Sequence, residues 1–134
     1  MKELFQNDYQ SIRLDEDVPC LIYKVGRLPS NSESIREGGR TLVRLSQEHP
    51  VKSVLVDARD SLGVLFEDIE WNSLYVTPRL IQAGIRKIAI IGLNNDVVKM
   101  SVQEYMELTA NAPLHQFVFK TEEEAKTWLK EEAF

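Results

Sequence analysis

Two short, largely apolar runs constrain the fold of this chain most. Residues 51–57 (VKSVLVD) and 86–92 (RKIAIIG) are rich in β-branched residues and carry few polar positions. That pattern suits strands buried on both faces rather than strands with one wet side. Between them, residues 62–83 read as a helix with an interruption. Thr77-Pro78 fits an N-cap followed by proline at the first helical position, and Gly84 is the stop. Upstream, residues 31–48 read as a helix with Ile35, Leu42 and Leu45 on one stripe, ended by His49-Pro50. Ser30 to Glu33 and Ser34 to Glu37 both match the capping box that opens such a helix. Downstream, residues 96–109 form a helix that turns Val98, Val102, Tyr105 and Met106 inward, and residues 115–120 form a short strand. A third capping box, Thr121 to Glu124, starts a last helix with Ala125, Trp128 and Leu129 on one side. Before all of this, residues 9–14 and 18–25 read as two β segments joined through Asp15-Glu16-Asp17, with Pro19 at a strand start or on an edge. Two β segments followed by β-α-β-α-β-α predict an α/β fold, a mixed sheet with helices packed on it. No linker or repeat divides residues 1–134, so one domain is expected.

Composition narrows the function classes. With 134 residues, 43% of them hydrophobic, the chain can bury a core without disulfides or metal. A single cysteine, Cys20, excludes an internal disulfide framework and a cysteine zinc site. Sixteen basic against twenty-one acidic residues leave a net charge of −5, which argues against nucleic acid as a partner. The polar N-terminal stretch does not read as a signal peptide, and the longest apolar runs fall far short of a bilayer span. A cytoplasmic protein that is not transmembrane is expected.

Catalytic signatures are missing. The sequence contains no phosphate-binding glycine loop, no H-E-x-x-H and no G-x-S-x-G. Its two histidines, His49 and His115, lack a second nitrogen ligand nearby in sequence, so neither a metal site nor a cofactor is expected. Cys20, inside an apolar strand, reads as a small buried hydrophobe. The richest polar stretch is Asp57-Ala-Arg-Asp-Ser-Leu-Gly63, placed where open α/β sheets put their ligands, at the carboxyl end of a strand. Asp57 and Asp60 can hold a cation or orient a hydroxyl there, and Ser61 can carry a phosphate. The same residues also suit plainer roles: Asp60 or Ser61 capping the next helix, Gly63 easing the turn, and Asp57 pairing with Arg59.

A second feature lies in the interrupted helix. At about 100° per residue, Leu62, Leu65, Phe66, Ile69 and Val76 share one face, while Trp71, Leu74 and Tyr75 fall opposite. Either the break at Pro78 reorients the chain and buries both stripes, or the aromatic stripe is a contact surface of the kind Trp and Tyr favour. Phe66, Trp71, Leu74 and Tyr75 are therefore the candidate contacts for a ligand, a protein partner, a lipid or a second copy in a homodimer. Gly38-Gly39 inside the first helix costs about 1 kcal/mol per residue relative to alanine, which points to close packing at that spot.

The order of elements and three stretches, Val54-Leu-Val-Asp57, Lys87-Ile-Ala-Ile-Ile-Gly92 and Phe117-Val-Phe-Lys-Thr-Glu-Glu-Glu-Ala125 running into Trp128-Leu129, resemble the STAS-like (SpoIIAA-like) family. The resemblance implies a single-domain mixed sheet with helices mainly on one side, and a non-catalytic module acting through a protein partner or a small apolar ligand. Related lipid-carrier folds suggest an alternative, a carrier of a lipid or other amphiphile gated by the helices around residues 66–81. An enzyme using Asp57 and Asp60 is the third reading. In anti-sigma-factor antagonists a serine in an Asp-Ser-Ser-Gly-type loop is phosphorylated. Asp60-Ser-Leu-Gly63 looks like a fragment of that loop, with Ser61 as the switch, but Leu62 replaces its second serine and it follows the Asp57 strand sooner than in the family.

Overall fold

The computed structural model describes residues 1–28, 31–92 and 95–131. Six strands form one sheet in chain order: β1 (Lys2–Gln6), β2 (Gln10–Asp15), β3 (Cys20–Val25), β4 (Ser53–Asp57), β5 (Lys87–Ile91) and β6 (His115–Phe119). The first three pair antiparallel and β3 to β6 pair parallel, with Val54 beside Ile88 and Leu55 beside Ala89. The expected mixed α/β sheet is therefore present, with one more strand than the sequence suggested. Its extra member, β1, is an edge strand with a register shift between Glu3 and Phe5, and only Leu4 and Phe5 are half-buried.

The helices are α1 (Ser32–Glu48), α2 (Phe66–Trp71), α3 (Thr77–Gln82), α4 (Asp96–Leu108) and α5 (Glu122–Lys130). Parallel strands joined in chain order need crossovers of one hand, which places every crossover helix on the same face. Accordingly Leu42 and Leu45 of α1, Leu80 of α3 and the half-buried Val102 of α4 pack with Val54, Ile88 and Ile90. The helix after β6, α5, covers the opposite face, where Ala125 and Leu129 meet Cys20, Ile22, Leu55, Ala89 and Ile91. No helix among the described residues is long and apolar enough to cross a membrane.

Several local expectations change. The first helix is opened by a capping box of Asn31 and Ser34: Ser34 N–H donates to Asn31 Oδ1 (2.8 Å) and Asn31 N–H to Ser34 Oγ (3.2 Å). Asn31 outcompetes Ser34 as the cap because Ser34 is already inside the first turn. Of the other expected box, Ser30 lies outside the described residues. Thr121 does cap α5, accepting from Glu124 N–H.

The interrupted helix starts later and bends differently. Residues 62–65 precede α2, so Leu62, Leu65 and Phe66 do not join a core stripe but are exposed. Consequently neither Asp60 nor Ser61 caps the helix, because it begins beyond them. Thr77 is not an N-cap either. Its backbone is helical, and its hydroxyl pairs instead with Tyr105 Oη (3.0 Å). In place of a break at Pro78, the segment Asn72–Val76 forms a wide π turn, closed by Thr77 N–H donating to Asn72 C=O. The widened turn keeps the chain helical into a proline that has no N–H to give.

Close approach explains the glycine pair in α1. A Cβ on Gly39 would lie 2.8 Å from Val76 Cγ2 and 2.9 Å from Trp71 Cζ3, and one on Gly38 would collide with Gln10 Oε1 and Tyr23 Oη. The glycines let α1 settle onto both the sheet and the π turn.

Candidate functional site

The helices of the three crossovers do not close fully onto the sheet. Between them lies a cavity of about 180 Å³, lined by Tyr23, Val54, Val56, Ile88 and Ile90 from the strands. Its helical wall includes Leu42 of α1, Ile69 of α2, Val76 of the π turn, Leu80 of α3 and Val102 of α4. These residues were legible individually as apolar positions, but nothing in the sequence separates an apolar residue that meets a partner from one that meets a void.

The polar groups of the lining are few and mostly held. Tyr23 Oη donates to Gln10 Oε1, and Gln10 Nε2 donates to Ser34 C=O (2.7 Å), tying the sheet to the first turn of α1. Burial pushes the Tyr23 and Tyr105 phenols above their ordinary range, so both remain neutral. Ser101 Oγ of α4 accepts from Val64 N–H (3.2 Å) and fastens the loop before α2. Asp68, 1% exposed, is the one charged residue in the lining among the described residues. Its Oδ2 accepts from Ser32 Oγ (2.8 Å), and its Oδ1 has a longer contact with Arg36 Nε (3.5 Å). Sequence reading missed Asp68 because it stands in an ordinary acidic first turn, Glu67-Asp68. The available signal was its spacing of four from Asn72 and eight from Val76, which puts it on the buried side.

The sequence-predicted loop residues divide. Asp57, 3% exposed, makes a two-pronged ion pair with Arg59 (2.9 and 2.8 Å) and accepts Arg59 N–H as well. Burial pushes the Asp57 carboxyl up, but these bonds and the nearby Lys24 and Arg59 charges outweigh it and hold the pKa below its ordinary value. Asp60 instead pairs with Lys24 (3.9 Å) and Arg27 (3.6 Å). The two carboxylates have different ion-pair partners, with Lys24 near both. Ser61 is 4% exposed, lines the cavity and accepts from Gly63 N–H (3.1 Å), with Gly63 at φ +102°.

The aromatic stripe is partly accounted for within the chain. Trp71 and Tyr75 are half-buried and stack on each other (5.0 Å between centroids, 11° between planes). Arg36 lies over Trp71 at 5.3 Å and Arg79 over Tyr75 at 3.7 Å. Leu74 beside them is 71% exposed. Phe66, exposed at the start of α2, belongs to another group of bare apolar side chains. Leu62 and Leu65 share its segment, and Val97 and Met100 occupy the opening turns of α4, against which Gly63 packs.

The chain matches no family model, no curated protein and no solved structure.

Proposed function

We propose that this chain is a non-catalytic binding module of the STAS-like kind, whose ligand is a small amphiphile taken into the cavity between sheet and helices. The observation that carries the reading is the apolar cavity of about 180 Å³. An apolar void of roughly 150 Å³ in a protein core already admits benzene. The α2–α3 run forms one wall, and the bare Leu62, Leu65 and Phe66 beside Val64 and Ser61 supply an apolar approach at one end. The element order and the helices gathered mainly on one face support the STAS-like assignment. The enzyme reading has less behind it, because Asp57 and Asp60 are each engaged by their own cations.

Native mass spectrometry after incubation with 1-octanol tests the reading. The wild-type protein is expected to take up one equivalent, and Val102→Phe, which fills the cavity from α4, to lose it. Uptake that Val102→Phe leaves unchanged overturns the reading. A protein-partner contact is favoured by a separate observation, the exposed Leu74 beside the Trp71–Tyr75 stack. Ser61, carried over from the resemblance, would act by setting a dianion at the cavity wall. Equal partner capture by Ser61→Ala and Ser61→Asp counts against that switch.

A further inference from the structure

The polar and apolar ends of the cavity are separated along the strands. Val54 and Ile88 stand near the starts of β4 and β5 and are paired in register, with Leu42 and Leu80 lining the same cavity. Asp68 comes from the first turn of α2 and bonds Ser32 in the first turn of α1, so it sits at the carboxyl ends of the strands, as do Ser61 and Ala58. An amphiphile with its tail among Leu42, Val54 and Leu80 would bring its head to Asp68.

At that head position the lining itself carries a carboxylate, with the Arg36 guanidinium behind it. Asp68 is the only charged residue in the lining, and no cation lines the cavity among the described residues. Its Oδ1 has only the long contact to Arg36, whose side chain is 40% exposed and lies over Trp71 outside the lining. The carboxylate thus keeps acceptor capacity toward the cavity. One helical turn on, the half-buried Asn72 also lines the cavity.

From this juxtaposition we infer that the cavity selects amphiphiles whose head donates hydrogen bonds, a primary amine or an alcohol, and rejects those with a carboxylate head. The inference rests on the binding reading above and names the ligand class of that same site. A donor head satisfies Asp68, whereas an anionic head would be desolvated beside a second negative charge.

The test uses three probes with one tail, octylamine, 1-octanol and octanoate, titrated calorimetrically into the full chain at pH 7. Octylamine and 1-octanol are expected to bind at least roughly tenfold more tightly than octanoate. Asp68→Asn is expected to cancel the advantage of octylamine while leaving 1-octanol within a few-fold. Should Asp68→Asn fail to fold, Asn72→Leu, at a half-buried position, and the wild-type ranking still decide. Equal binding of all three probes, or a preference for octanoate through Arg36, overturns the head-group selection alone. No binding of any probe, 1-octanol included, overturns the cavity reading as well.

Discussion

The two faces of the sheet are built from the same strands yet closed in different ways. On the α5 face small residues let the helix come close: Ala125 and Ala89 are fully buried, with Leu55, Cys20 and Ile91 around them. Its rim is tied ionically, by Asp57 to Arg59 and by Asp15 to Lys126 (2.8 Å). Lys87, 6% exposed, crosses to the end of α5 and donates to the carbonyls of Trp128 (3.0 Å) and Glu131 (2.7 Å). The opposite face carries more helices, of which α1 and α4 are longer than α5, and more apolar residues, but its helices stand off the sheet around a cavity. A well-packed interior has few voids larger than a water molecule. An open space on one face and a packed, latched helix on the other support the proposed division into a binding face and a structural one.

Truncation should separate the faces most sharply. Leu55→Ala, at a fully buried site under α5, is expected to cost about 2–5 kcal/mol in urea unfolding. Val102→Ala, at the already open wall, should cost about 1 kcal/mol or less, since the removed atoms have few neighbours to lose. Similar costs at both sites would erase the contrast. Next in size, Lys87→Met should cost about 1–3 kcal/mol, because it strips the helix end of a charged donor to two carbonyls.

Acid should weaken the latched face first. The Asp57 and Asp15 pKa values both lie below the ordinary carboxylate value. For each, burial raises it but hydrogen bonds, to Arg59 for Asp57 and to Lys126 and Asp17 for Asp15, lower it further. Such groups contribute stability that is complete above the unfolded carboxylate pKa of about 4 and is lost as pH falls toward the folded value. Urea midpoints should therefore decline below about pH 4, and Asp57→Asn should flatten part of that decline. The smallest effect is chemical. Burial, reinforced by Asp15, pushes the Cys20 thiol up to about 12, so Cys20 should stay unlabelled by a disulfide reagent until the protein unfolds.

Strands β3 to β6 were legible because short apolar runs bounded by polar turns have few other uses. The edge strand β1 was not, since Lys2-Glu-Leu-Phe-Gln6 buries little and is held by pairing with β2 rather than by its own pattern. The close packing of Gly38-Gly39 was readable from the helix penalty alone. By contrast, the π turn depends on Trp71 and Val76 meeting Gly39 across the fold, a tertiary contact with no local signature. The late start of α2 broke the first stripe, so a regular helical period begun at residue 62 put Leu62, Leu65 and Phe66 in the core, where they are not. Asp57 and Arg59 were readable as a pair. The cavity was not, because it belongs to the spacing between elements, and the role proposed for Asp68 depends on that space.

Amide NMR of the full chain during titration with 1-octanol tests the difference between the faces most directly. The account predicts shifts concentrated at Val54, Val56, Ile88, Ile90 and Val102 and along α2 and the π turn, with Ala125, Lys126 and Leu129 of α5 unmoved. Shifts absent from the cavity wall, or spread equally over α5, would contradict it.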